Sequence, residues 1–223
     1  MRRRQFVRAF ALAPGAVALG QPPASPSGNS AQVNAKRNGE MSNRYQFLGG
    51  MAGKWKVTRL SAYRGSGLAA VERVDVLNGA TFERSPDTSW VLEGVTSNVR
   101  YATGTEVAAL KARQPDLNRP EATGAALIPI KKSAAWWALA QDERRAIFEE
   151  TSHHTAIGLE YLPAIARRLH HSHDLGEEFD FLTWFEFAPQ HQGAFDELLA
   201  RLRTTQEWSY VEREVDIRLE RIA

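Results

Sequence analysis

The order of elements in the second half of this chain echoes the order in the first, and an internal echo of that kind restricts the fold more than any single segment does. In the first half, residues 55–63 alternate well enough for a strand, 71–76 form a short apolar segment, and 89–101 are rich in the β-branched and aromatic residues that strands favour. A helix is expected over 105–114, where Val107 and Leu110 lie three apart on one face and Ala108, Ala109 and Ala112 favour the helical state. Residues 125–130 then read as a strand, edge-like at Pro129, which has no N–H to give to a ladder. The second half runs through a helical stretch over 136–171 to a strand over 179–187, with Phe179, Phe181, Phe185 and Phe187 on one face. A helix with Phe195, Leu198, Leu199 and Leu202 follows, and then a strand over 211–219 that sets Val211, Val215, Ile217 and Leu219 against charges on the other side. Two strand–helix–strand halves, about 45–130 and 131–223, predict an α+β fold.

Composition excludes more than it selects. With no cysteine, disulfides and thiolate-bound metals are ruled out. The pI of about 9.0 suggests nucleic acid, but the charge is unevenly placed. Residues 1–40 hold six of the 28 basic residues and one of the 26 acidic ones, which leaves the body mildly acidic at 22 to 25. Nothing therefore points to nucleic acid as a partner. The leader has a basic start with Arg2, Arg3, Arg4 and Arg8, then an apolar run from Ala9 to Gly20 that is too short, and too interrupted by Pro14 and Gly15, to span a bilayer. Its arginines before Gln5, Phe6 and Val7 resemble a twin-arginine export signal, with small residues near Ala16, Ala18 or Ala24 as cleavage points, which implies a periplasmic protein with no stable membrane association. The alternative is translation from Met41 and a cytoplasmic protein. On either reading, residues 1–40 stand outside the fold.

Chemistry concentrates in residues 153–171. Ile157, Leu159, Leu162, Ile165 and Leu169 mark the segment as largely buried, so a His or Arg on its inner side is desolvated unless something binds it. His154 and Arg167 stand thirteen positions apart. On an unbroken helix that is about 20 Å, too far to share a small ion. Pro163 is expected to end or kink the helix, giving two short helices that approach a flat cofactor from opposite faces. A haem fits that description, with a neutral imidazole on the iron and the arginine over the open face. His170, His171 and His173 suggest zinc, but adjacent imidazoles diverge and no fitting fourth ligand is evident, so the cluster is read as a polar helix end.

Lys132 with Trp136 and Trp137, His154-Thr155 with Leu159, Tyr161 and Leu162, Arg167, His171-Ser172, and the run from Phe179 through Asp180, Phe181, Leu182, Thr183, Trp184 and Phe185 to Glu186 carry a family pattern. From about Met41 onward the chain resembles the chlorite dismutases, haem b enzymes that turn chlorite into chloride and dioxygen. The body has the length of one compact subunit, which matches the shorter, dimeric branch. The resemblance implies two ferredoxin-like repeats forming a dimeric α+β barrel, one haem b per subunit, chlorite as a small-anion substrate and a homodimer.

It also implies roles. His154 is the iron ligand, and its neighbour His153 points elsewhere. Glu207, at the end of the helix that begins near Phe195, accepts the other imidazole N–H and so tunes the iron; taken alone it reads as a solvated carboxylate beside Arg203. Arg167 is the arginine that presents a fixed charge and a donor fork to chlorite entering and to hypochlorite formed. Without the resemblance, Arg167 reads as a surface charge, which is the better reading of Arg168. Lys132, Trp136, Tyr101 and Asn98 are the expected donors to the haem propionates, although Trp136 and Trp137 would serve equally as core aromatics. Three rival readings stand: a coproporphyrin-processing decarboxylase relative, which does not carry the distal arginine; a non-catalytic haem-binding protein; and a ferredoxin-like binding protein without iron.

Overall fold

The computed structural model describes residues 43–79, 86–96 and 100–222. The leader, Met41 and Asn98 lie outside the described residues. Among the described residues, eight strands form the body: β1 (Arg44–Gly50), β2 (Trp55–Arg64), β3 (Arg73–Asn78), β4 (Thr88–Val95), β5 (Gly124–Lys132), β6 (Ile165–His171), β7 (Phe181–Phe187) and β8 (Val211–Arg221). They close into a barrel in the order β1-β3-β2-β8-β5-β7-β6-β4, with β4 returning to β1. All of the pairings are antiparallel. Around the ring, β5 to β8 stand as β8-β5-β7-β6 and β1 to β4 as β4-β1-β3-β2, the same relative order twice.

Helices fill the connections. They are α1 (Gly104–Arg113), the short α2 (Ala134–Ala138) and α3 (Gln141–Arg145), a π-turn over Ala146–Thr151, α4 (His154–Glu160) and α5 (Gln192–Arg203), with a 3-10 turn over Glu207–Tyr210 before β8. Thr103 starts α1 with a capping box: its hydroxyl accepts from the Glu106 N–H while the Glu106 carboxylate accepts from the Thr103 N–H. Among the described residues, no helix is long and apolar enough to cross a membrane.

The two-residue period of the strands sorts their side chains to two cores. Inside the barrel, Phe47, Val74, Leu92, Leu127, Leu182, Val215 and Ile217 pack together. Outside it, Ile128, Ile130, Ile165, Phe185 and Phe187 pack on Phe195, Leu198, Leu199 and Leu202 of α5. A barrel of eight strands is just wide enough for side chains to fill it. Gly49 shows how tight that filling is, because a Cβ there would fall 2.1 Å from the Trp90 ring.

Several sequence expectations are corrected. Helix does not run to His171: after α4 the chain turns back as β6, paired along its length with β7 from Ile165–Phe187 to His171–Phe181. The four-residue spacing of Ile165 and Leu169 fits a strand as well as a helix, and the long-range ladder decides the outcome. His170 and His171 are accordingly a buried strand end and not a polar helix end. Pro129 is not at an edge; it faces Leu182 of β7, and β8 pairs with β5 on either side of it, at Leu127–Ile217 and Ile130–Glu214. β4 stops at Val95, short of Arg100 and Tyr101, which form a turn with Tyr101 at φ 63. Phe179 packs inside the barrel, away from Phe185 and Phe187. The middle of the charged side of β8, Glu214, Asp216 and Arg218, is buried as well: α5 covers it, with Arg203 donating to Glu214 and Asp216 and Arg218 donating to Asp216 and to Asp196 at 2.6 Å.

Candidate active site

A cavity of about 460 Å³ lies between the outer face of β5, β7 and β6 and the helices α1, α4 and α5. That size falls in the range of small-molecule and cofactor sites. Its floor follows from the strand period, because alternate residues of three neighbouring strands face it: Ile128, Ile130 and Lys132; Phe181, Thr183 and Phe185; Arg167, Leu169 and His171. His154, Glu207, Lys132, Trp136, Tyr101 and Arg167 all line this one cavity. His153 is exposed and does not.

His154 opens α4, and two devices hold it. Backbone geometry supplies the first: His153 adopts the left-handed conformation at φ 54 and reverses the chain into the helix, whose first-turn N–H groups at Thr155 and Ala156 donate to the buried Glu149 carboxylate at 2.6 and 3.2 Å. A negative charge at a helix N-terminus also complements the helix dipole. The second device is Glu207, whose Oε2 lies 2.6 Å from His154 Nδ1. Burial alone would raise the Glu207 carboxyl, but the neighbouring His154 and Lys132 charges and their hydrogen bonds hold it down at about 2. An ionised carboxylate only accepts, so Nδ1 carries the hydrogen, and on binding a metal, which needs the neutral ring, Nε2 would present its lone pair to the cavity. Phe148 stacks on the imidazole at 4.4 Å between ring centres.

Lys132 differs from its expected place among free donors at the cavity mouth. It is buried, and Nζ donates to Glu207 Oε1 at 2.7 Å while lying 4.7 Å over the Trp136 ring. The Glu207 N–H donates to Ser152 Oγ at 2.9 Å. Glu207 is therefore no solvated carboxylate beside Arg203, which is committed to Glu214 and Asp216. Tyr101 packs edge-on to Trp136, and its hydroxyl accepts from Arg144 at 3.3 Å. Trp136 is buried with its indole N–H unpartnered.

Arg167 reaches the cavity from β6. Its carbonyl accepts from Gln114 Nε2 at 2.7 Å, and burial draws its guanidinium down from the usual value. The side chain is surrounded by protein yet half-exposed, because the surface it shows is cavity surface. Arg168 turns to the other face of the strand and donates to Tyr45 Oη at 2.8 Å.

The other histidines separate. His170 Nδ1 meets the Leu182 carbonyl at 3.0 Å, His171 faces the cavity, and His173 Nδ1 meets Asp180 at 2.6 Å. Among the described residues, no group of three His, Cys, Asp or Glu side chains is placed to hold a metal ion. A metal at His154 would thus have to bring most of its own ligands, as the iron of a porphyrin does. A largely apolar cavity, an imidazole fixed through Nδ1 and a buried indole N–H without an acceptor among the described residues suit a haem, and the residues fit it. Phe148, Ser152, Glu149 and Gln114 were not apparent as site residues in the sequence, because each acts through a backbone or ring contact that no spacing rule encodes.

The chain matches the chlorite dismutase family over residues 36–221. It is 33% identical over 133 residues to a chlorite dismutase of Ideonella dechloratans, an alignment that takes in 56% of this chain and 42% of that protein, so the chain spans less than half the length of that curated relative. Among solved structures, a dimeric chlorite dismutase from Nitrobacter winogradskyi shares 52% identity at a TM-score of 0.73, covering 79% of this chain and 99% of that one. A chlorite dismutase from Candidatus Nitrospira defluvii in complex with imidazole is 22% identical, with a TM-score of 0.58 over 84% of this chain and 95% of that one, a likeness of fold alone. With the family model matching residues 36–221, and Lys132, Trp136, His154 and Arg167 of the pattern lining one cavity, the chain belongs to the chlorite dismutase family.

Proposed function

We propose that the protein binds haem b in this cavity and converts chlorite to chloride and dioxygen. The observation that carries the reading is the pair of groups the cavity presents: a His154 imidazole whose Nδ1–H is fixed on Glu207 so that Nε2 is free, and the Arg167 guanidinium, with no carboxylate among the described residues to neutralise it.

His154 would hold the iron, and Trp136 would donate its unpartnered N–H to the cofactor's polar edge. Haem, when bound, would supply the redox chemistry by which both chlorine–oxygen bonds of chlorite are broken and one oxygen–oxygen bond is formed. Glu207 fixes the tautomer and plane of the imidazole and, as an ionised acceptor, makes Nε2 more electron-rich. Arg167 keeps its proton, so it binds chlorite as an anion and retains hypochlorite within the cavity until the second oxygen is transferred. The apolar floor from β5 and β7 excludes water from the charge pair and strengthens it.

The same reading extends to the assembly. The repeated strand order supports two ferredoxin-like units, dividing just before Gly124 and so somewhat earlier than residue 130. The neighbour from Nitrobacter supports a homodimer. The leader supports export to the periplasm of a folded protein, with residues 1–40 removed from a haem domain that begins near Met41.

The test is dioxygen release on an electrode when chlorite is added to purified, haem-loaded protein, beside Arg167→Ala. Oxygen evolution that the variant loses, or sustains only briefly before its haem bleaches, is the expected result. Haem uptake without oxygen would assign the site to a relative with another substrate, such as a coproporphyrin decarboxylase or a haem-binding protein. A variant equal to the unaltered protein in rate and lifetime would remove Arg167 from the chemistry.

A further inference from the structure

The guanidinium of Arg167 lies against the backbone of Gly158 in α4. A Cβ at position 158 would sit 3.0 Å from Arg167 Nη1, 3.5 Å from Cζ and 3.6 Å from Nη2, so the fork covers the place where every other residue type carries its first side-chain carbon. Gly158 is buried within a helix, where glycine is the poorest choice after proline. Its backbone does not call for glycine either, since its φ is not among the positive values. What glycine supplies here is the missing methyl.

Among the described residues, no other contact fixes that fork. The strand ladder and Gln114 hold the Arg167 main chain, but among the described residues no group accepts a hydrogen bond from the guanidinium. Arg168 is the contrast, pinned by the Tyr45 hydroxyl and lying 5.3 Å over its ring. A cation with its donors unused and one face laid on bare backbone is held in place without being neutralised.

We propose that Gly158 is a positioning residue whose bare backbone seats the Arg167 guanidinium against α4, so that a small oxyanion entering the cavity meets the donor fork at a set place. The inference rests on the reading of the cavity as a haem and oxyanion site. In Gly158→Ala, the methyl contact at 3.0 Å displaces the far end of a flexible side chain, while the helix itself gains a better former.

The experiment titrates ferric, haem-loaded full-length protein with nitrite, in the unaltered and Arg167→Ala backgrounds. Gly158→Ala should weaken nitrite binding roughly 3–10-fold in the first, the loss expected when a charge-assisted hydrogen bond is bent and not removed. It should leave the second unchanged, with no fall in thermal midpoint in either. Gly158→Ser, which adds the same Cβ, should reproduce the shift. Equal weakening in both backgrounds, or none in either, overturns the proposal.

A second measurement needs no haem: modification of Arg167 by phenylglyoxal, followed by mass spectrometry with Arg168 as the internal reference. Gly158→Ala should raise the Arg167 to Arg168 rate ratio severalfold, and an unchanged ratio counts against the seat. Failure to take up haem would overturn the functional reading, while the phenylglyoxal ratio would still decide the seat.

Discussion

Glu207 and Lys132 allow a sharp prediction, because removing one partner leaves the other in very different company. Their side chains are 5% and 3% exposed, and Nζ to Oε1 is 2.7 Å. Glu207 faces two donors, Lys132 Nζ and His154 Nδ1–H. In Glu207→Gln the amide offers one acceptor and one donor to these two donors, so one contact becomes donor against donor. Lys132 is then left with the residue 207 carbonyl, 3.3 Å away in the unaltered chain, as its acceptor. A buried ion stranded in this way costs about 3–5 kcal/mol. Lys132→Met is milder: Oε1 loses its partner, but Oε2 keeps the imidazole, and the loss of one buried hydrogen bond costs about 1–3 kcal/mol. The doubly substituted protein removes the stranded charge, so its loss should fall short of the sum of the singles by on the order of 2 kcal/mol. Urea unfolding followed by far-UV circular dichroism, on samples matched for haem content, measures all four proteins. If Glu207→Gln cost no more than Lys132→Met, or the two losses simply added, the account of Glu207 as the shared acceptor would be wrong.

Two further outcomes follow from the fold. His170 and His171 are held down near 4, chiefly by burial, whereas an unfolded imidazole titrates near 6.5. Between those values the unfolded chain takes up protons that the folded chain refuses, so their contribution is intact above 6.5 and is lost as pH falls toward 4, by roughly 1.4 kcal/mol per pH unit for each ring. The slope of unfolding free energy between pH 6.5 and 4.5 should flatten in His170→Gln, and an unchanged slope would reject the assignment. Gly49→Ala should destabilise the barrel by more than about 3 kcal/mol, because its methyl would overlap the Trp90 ring and overpacking alone costs about 1–3. Gly49→Ala combined with Trp90→Leu should recover part of that loss in the same urea assay, and no recovery would show that the clash lies elsewhere.

Much of the architecture was legible from local pattern. The alternation of residues 55–63 and 211–219, the Phe195–Leu202 stripe and the alanine-rich 105–114 each name their own element, and each is where it was expected. What escaped depends on partners distant in the chain. β6 has spacings that suit a helix as well as a strand, and only β7 resolves the choice. Glu214, Asp216 and Arg218 read as a wet face until α5 is laid over them. At the site, family resemblance singled out His154, Glu207 and Arg167, but not that Lys132 is spent on Glu207, because that contact spans 75 positions. Pro129 misled for a related reason: a missing N–H argues for an edge, and a closed barrel has none.

The barrel closes through two unequal joints. At one, β2 and β8 run together from Trp55–Arg221 to Arg64–Glu214. At the other, β4 and β6 are paired, among the described residues, at Val95 and His171. Among the described residues the first joint is the longer, and the second brings in β6, the strand that carries Arg167. Amide hydrogens of β4 and of the β4-facing side of β6 should therefore exchange with solvent in a common partial opening, well before those of β5 and β8. The positive end of the site is mounted on the strand that forms the second joint, whereas His154 sits on a helix start clamped by two buried carboxylates, Glu149 and Glu207. The protein thus ties the group that would carry the iron through two carboxylates, and leaves the seating of the group that would meet the anion to β6 and the bare backbone of Gly158.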